Sequence, residues 1–439
     1  MKLVSFLLLA ALVLSCKQPT SKKTSASIDQ LAEQYVRLAL DIGRYDSSFV
    51  DAYYGPDSLK PIDVKKELFP KDSFLLQVQQ LQDAFLKLTE EAKNDSVLLL
   101  RDKWMKAQLT AFARRIKIFS DEYAGFDAES LELYGAVAPV YSESHYQALV
   151  ARLDAVLPGK GTIPERFQLL ANRFIIPKNK LDTVIKAAIA ESRKRTMEHY
   201  SIPGNENFKL EFVTDKPWAG YNWYKGNYQS VIQINTDLNI FIDRAIDVGS
   251  HESYPGHHVY NMLLEKNLYH DKGWVEVSLY PLFSPQSLIA EGSANYGIDM
   301  VFPGNDRKIA FCKEVLLPLA GLDTTGISIY FQALTIKGQL NFAGNEAGRG
   351  LVNKTMDSLS IMQWLKDYCL MNEETAKKRI RFINVNRSYI INYNYGMELI
   401  KNYMEAKGAD AANPAKRWEV FGELLSNPVL PSDLLKVTK

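Results

Sequence analysis

Eight residues hold half of the histidines in this chain. His251-Glu252-Ser253-Tyr254-Pro255-Gly256-His257-His258 contains three of the six, with a carboxylate beside the first. Imidazoles with a neighbouring glutamate are the material of a hydrolytic zinc centre, which takes about three protein ligands and leaves one position for water. In HExxH, residues i and i+4 share a helix face, and the Glu after the first His is a general base, not a ligand. Here position i+4 is Pro255, which cannot bind metal; His257 stands at i+6 and His258 at i+7. On a straight helix the first points roughly 240° away and the second lies roughly 10 Å up the axis, so neither reaches an ion held by His251. Pro255-Gly256 changes this. Proline removes a backbone donor and clashes with the preceding turn, and glycine permits unusual dihedrals. A break there can swing a later histidine back toward His251. Spacing alone leaves both His257 and His258 open as the second ligand.

A third ligand must come from another element. Leu288-Ile289-Ala290-Glu291-Gly292-Ser293-Ala294-Asn295-Tyr296 is a largely apolar helical stretch with one carboxylate. A lone Glu in an apolar run is costly unless it is paired or coordinates a cation, which makes Glu291 the candidate. The cofactor expected is Zn2+, with Glu252 as the base beside it.

The elements that must position these residues are mostly helical. Ser27 with Gln30 forms an S-x-x-Q capping box, followed by Ile28, Leu31, Tyr35, Leu38 and Ile42 at helical spacing. Residues 72–119 read as two long amphipathic helices, and Pro158-Gly159-Lys160-Gly161 as a turn. Phe208–Thr214 is β-like, and Tyr228–Asn235 alternates as a half-buried strand does. Asp243–Lys266 reads as a helix broken at Pro255-Gly256, and helical patterns continue from Pro285 onward. The fold class expected is mainly α with a small β-sheet (α+β): a large helical body with a central cleft and a strand next to the metal helix. An N-terminal helical subdomain over 28–160 and a metal-binding region over 161–439 are expected to pack as one body. Cys312 and Cys369 read as buried free thiols in helices, with a disulfide, which export would permit, as the alternative.

Composition narrows the partners. The 439 residues are 46% apolar and 23% charged, ordinary for a soluble chain. With 52 basic and 51 acidic residues the formal charge is +1, so no strong field draws nucleic acid or acidic lipid. A peptide or small amide is the expected partner. At the N-terminus, Lys2 precedes an apolar run from Leu3 to Leu14, too short to span a bilayer comfortably. It ends in Val13-Leu14-Ser15-Cys16, which resembles a bacterial lipobox. Residues 1–16 are therefore expected to be a lipoprotein signal, with Cys16 lipidated, and 17–27 a polar tether. Membrane contact is expected through that lipid only, at the bacterial cell envelope, facing the periplasm or the cell surface.

HESYPGHH followed by IAEGSANYG resembles a large, little-characterised bacterial family classed with zinc peptidases. Its members carry HE-x-x-P-G-H-H and a downstream E-G-W-A-x-Y, and it is grouped with HExxH-type peptidases whose third ligand is a glutamate. Ser293 stands where that pattern has Trp. Tyr393-Asn394-Tyr395-Gly396 fits a further Y-x-x-G, with Asn392 replacing a Ser and Arg387-Ser388-Tyr389 in place of Pro-Gly-Gln. The resemblance implies His251, His257 and Glu291 as ligands, Glu252 as catalytic base and Tyr393 as a donor to the oxyanion. It also implies that the strand before the motif pairs with an extended substrate. Asn222, Trp223, Asn235 and Tyr389 are candidates for lining the cleft, with ordinary packing as the alternative. The function so implied is a lipid-anchored zinc peptidase. A non-peptide amidohydrolase or esterase, and a non-catalytic binding lipoprotein, are the alternatives; the intact His-Glu pair speaks against the last.

Overall fold

A computed structural model describes residues 27–91, 94–216 and 218–437. The signal segment, Cys16 and the tether up to residue 26 lie outside the described residues. Helix takes 66% of the chain and strand 7%, so it is mainly α with a small β component. Among the described residues no helix is long and apolar enough to cross a membrane.

The first helix, Ile28–Gly43, starts where the capping box requires. Ser27 Oγ accepts from Gln30 N at 3.3 Å, and Gln30 Oε1 accepts from Ser27 N at 2.9 Å. Its apolar stripe packs on the long helices Lys71–Glu91 and Ser96–Phe119 around Tyr35, Phe85, Trp104 and Phe112. That core also takes in Leu279 and Leu430 from far along the chain. A buried bidentate ion pair fastens the bundle to the rest: Arg101 donates to Glu276 from Nε at 2.6 Å and from Nη2 at 2.9 Å.

Among the described residues five short strands form two sheets. Strands β1 (Val50–Tyr53) and β5 (Leu279–Pro281) pair antiparallel, with Ala52 opposite Tyr280. The other sheet has the order β2-β4-β3, with β2 Asn207–Val213, β3 Gly220–Gly226 and β4 Gln229–Asn235. Strands β3 and β4 are antiparallel, joined through Asn227 and Tyr228, both at positive φ, the backbone a two-residue type I′ hairpin needs. Buried Glu265 accepts both their N–H groups, at 2.7 and 3.1 Å. The alternating stretch Tyr228–Asn235 does become a strand beside the histidines, but it is the middle one. Its second edge is filled by β2, which pairs with it in parallel from Asn207↔Gln229 to Val213↔Asn235. It therefore has no edge to offer an extended substrate. The free edge near the site belongs to β3.

Behind the site two helices touch backbone to backbone. Pro285–Val301 crosses Ile391–Ala406 where Gly292 meets Gly396; a Cβ on Gly292 would lie 2.5 Å from both C and O of Gly396. This brings the Glu291 side chain and the Tyr389–Tyr393 segment together. Cys312 and Cys369 are buried and unpaired, and burial pushes the Cys369 thiol up to about 12.

The crossing predicts a contrast between two glycines. Gly292→Ala should lower stability by about 1–3 kcal/mol through overpacking. Gly338 is exposed on the helix Ile327–Leu340 with nothing within 4 Å of a new methyl, so Gly338→Ala should be neutral or stabilising by about 0.5–1 kcal/mol. Urea unfolding midpoints of the two variants check this.

Candidate metal centre

The histidine motif is not one helix. The α-helix Ile242–Asp247 widens into a π turn over Val248–Ser253. Tyr254 N donates to Gly249 O at 3.2 Å and Gly256 N to Ser250 O at 2.9 Å, spans of five and six residues. The Tyr254–Pro255 peptide is cis, and α-helix resumes over His257–Leu264. Gly256 lies so close to the preceding turn that a Cβ would overlap the His251 carbonyl oxygen and stand 2.5 Å from Ser250 O. Only glycine lets the chain double back this tightly. Residue i+6 is thereby returned to the place that i+4 takes in an unbroken helix.

The result is a compact trio. His251 Nε2 and His257 Nε2 lie 3.5 and 3.7 Å from Glu291 Oε2. The two imidazole centroids are 4.7 Å apart with planes at 89°. The three ligand atoms all fall within 4.8 Å of one another, the spacing of a metal-ligating group. Glu291 Oε2 is buried and accepts no hydrogen bond. A buried carboxylate oxygen without a donor, facing two imidazole nitrogens, fits a cation. The charge balance agrees. Burial opposes ionisation of Glu291, yet the two imidazoles hold its carboxyl well below the usual range. Burial likewise opposes protonation of His251, and the carboxylates of Glu291 and Glu252 outweigh it.

His258 is elsewhere. Its Nδ1 meets Ser230 Oγ at 2.8 Å and its Nε2 meets Glu206 Oε1 at 2.8 Å, and the ring is fully buried. Burial works against Glu206, but hydrogen bonds from His258, Tyr254 and Arg193 hold its carboxyl at about 2. His258 thus ties the histidine segment to β4 through Nδ1 and to the residue before β2 through Nε2. The geometry leaves His257 as the histidine that converges with His251 and Glu291.

A second layer orients the trio. His251 Nδ1 lies 3.0 Å from Asn295 Oδ1, and Asn295 Nδ2 donates to Tyr393 O at 2.9 Å. That amide orientation makes Nδ1–H the donor and leaves the Nε2 lone pair for the site. Tyr389 OH donates to Glu291 Oε1 at 3.1 Å and accepts from Ser287 Oγ at 3.2 Å. Tyr389 is buried, so its hydroxyl stands behind the glutamate instead of along an open wall. It follows Arg387, whose φ of 50° is held by a bidentate pair with fully buried Glu129 at 2.5 and 2.9 Å.

Glu252 is 8% exposed, and its Oε1 lies 3.2 Å from where a Cβ on Gly220 would stand. Asn222 Nδ2 donates to Glu252 O at 2.6 Å, fixing the base's backbone to β3. Tyr393 keeps 40% of its surface exposed, its ring 5.7 Å from that of Tyr389. Asn235 is turned away: its amide nitrogen goes to Lys216 O at 2.9 Å and Trp218 O at 3.2 Å, and its oxygen accepts from Asp237 N. It ties down the loop that leads into β3. Trp223, half-buried, donates to Gln233 Oε1 at 3.0 Å. Two residues near the site gave no sequence signal. One is Asn295, inside the quoted EGSANY. The other is Asp51 of β1, which accepts a hydrogen bond from Tyr221.

No family profile matches this chain, and no curated protein matches it. Among solved structures, a protein from Shewanella oneidensis described as a lipoprotein of unknown function is similar, at 12% identity over 83% of this chain and 72% of that one, with a TM-score of 0.48. The M32 carboxypeptidase of Deinococcus radiodurans R1 is similar at 12% identity over 93% and 94%, with a TM-score of 0.43. Metallocarboxypeptidase 1 of Trypanosoma cruzi is similar at 11% identity over 94% and 95%, with a TM-score of 0.37. Overlaps of this grade carry no argument about activity, so the functional reading rests on the site.

Metal analysis separates the two histidines. His257→Ala should abolish stoichiometric binding; His258→Ala should keep the metal while lowering thermal stability, because Glu206 loses a buried partner. Asn295→Ala should weaken metal affinity about 10–100-fold. Affinity should fall as pH drops through the raised pKa of His251, because the proton and the metal compete for the same Nε2.

Proposed function

We propose that this chain is a zinc-dependent peptidase, held at the bacterial cell envelope by a lipid on Cys16. The observation that carries the reading is the convergence of His251, His257 and Glu291 on one point, with Glu291 Oε2 buried and unpartnered and Glu252 next to His251. Two imidazoles and one carboxylate are a ligand set of catalytic zinc. Zinc held there would act as a Lewis acid and bring the pKa of a water molecule to roughly 7.

The chain's own groups divide the remaining work. Glu252 accepts the proton of the attacking water and passes it to the amine nitrogen as the C–N bond breaks. Asn222, bonded to the Glu252 carbonyl, sets the angle at which that base approaches. Tyr393 donates a hydrogen bond to the carbonyl oxygen as it gains negative charge. Desolvation of its hydroxyl, and then the charges of Glu291 and Glu252, raise its phenol well above the ordinary value, so the donor keeps its proton at neutral pH. The free edge of β3 offers backbone groups to an extended peptide beside Glu252.

Glu252→Gln should retain one zinc per chain and lose about 10²–10⁴-fold in hydrolysis of a broad peptide library. Tyr393→Phe should cost about 10²-fold in kcat, with zinc unchanged. Equal zinc binding by wild type and Glu252→Gln, with cleavage by neither, would rule the peptidase out.

A further inference from the structure

Several buried acids in this protein are answered by an arginine. Glu276 faces Arg101, Glu129 faces Arg387, Asp46 faces Arg115 and Glu206 faces Arg193. Half-buried Asp51, like buried Glu265 with its Tyr224 partner, has none. Among the described residues no lysine or arginine pairs with it, and its partner is a phenol: Tyr221 OH donates to Oδ1. Tyr221 follows Gly220 on β3, and Gly220 is where that edge strand meets Glu252 Oε1. Asp51 and Glu252 thus meet neighbouring residues of β3, the one through the Tyr221 hydroxyl and the other at Gly220. Burial, and then the charges of Glu291 and Glu252, raise its carboxyl to about 6, against the Tyr221 hydrogen bond and the field of His257.

Counting charges shows what is missing. A divalent ion at the trio offsets Glu291 and Glu252. Asp51 is then a surplus negative charge with no protein cation to answer it, beside the place where a substrate would lie. On the other side the positive charge felt by Tyr393 is that of Arg379, whose guanidinium lies 5.7 Å over the Phe382 ring.

We propose that Asp51, oriented by Tyr221, is a specificity-determining residue that receives the free α-ammonium group of a short peptide cut near its amino end. This rests on the peptidase reading of the site and narrows its substrate class. An ammonium brought to a half-buried carboxylate gains a charge-assisted hydrogen bond, which an N-acylated peptide forfeits while leaving the carboxylate unpaired.

The test reads binding without turnover. The zinc-loaded Glu252→Gln chain is titrated by calorimetry with the dipeptide Ala-Phe, its N-acetyl form and its C-terminal amide. N-acetylation should weaken binding about tenfold or more, and amidation by less than about twofold. Adding Asp51→Asn to the same background should erase the N-acetyl penalty. Zinc stoichiometry and circular dichroism confirm that this variant is folded, and Asp51→Ser replaces it if it is not. The proposal is overturned if N-acetylation does not weaken binding, if the penalty survives without Asp51, or if the amide is the weakened form, which would point to a carboxylate read by Arg379. Hydrolysis by wild type is scored separately, so loss of the peptidase reading and loss of the Asp51 assignment give different results.

Discussion

An α-carbon without a side chain rests against the carbonyl of His251, and the metal-site geometry follows from that contact. A straight helix separates residues 251 and 257 by most of two turns. The π turn over Val248–Ser253, the break at Pro255 and the backbone of Gly256 pressed on the preceding turn fold that separation back on itself. Pro255 in turn packs over Gly297 of the glutamate-bearing helix, where a Cβ would stand 3.3 Å from Pro255 Cγ. One dipeptide both bends the histidine segment and seats it on the helix that supplies Glu291.

The trio is held from behind by a chain of hydrogen bonds. Asn295 fixes the tautomer of His251 and ties it to the backbone of Tyr393. Tyr389, backed by Ser287, fixes one oxygen of Glu291 and leaves the other for the site. The Tyr389 segment is pinned by Arg387 on Glu129, a full buried ion pair. Pre-oriented ligands of this kind lose little freedom when a metal enters, so the support appears as affinity and not as new contacts. The Gly292–Gly396 crossing makes the arrangement possible, because any larger residue would push the two helices, and with them these partners, apart.

What could be read from the chain alone was local. The Ser27 capping box, the break at Pro255-Gly256 and the alternation of Tyr228–Asn235 are set by neighbouring residues, and the structure has all three. What could not be read depends on distant partners. His258 looks as good a ligand as His257 until Ser230 and Glu206, 28 and 52 positions away, claim both its nitrogens. Tyr389 reads as a cleft residue because Glu291, its partner, is 98 positions away. Strand β4 shows its alternation, but the parallel cover of β2, which removes its free edge, leaves no mark in its own residues. Asp51 gives no signal at all, since Tyr221 lies 170 positions downstream.

The central claim is that one ion sits between His251, His257 and Glu291. A crystal structure of the full chain grown with zinc, with anomalous difference maps collected on both sides of the zinc edge, tests it most directly. The account predicts a single strong peak about 2.0–2.2 Å from His251 Nε2, His257 Nε2 and a Glu291 carboxylate oxygen. A peak at His258 and Glu206, or no peak at the trio in zinc-saturated protein, would contradict it.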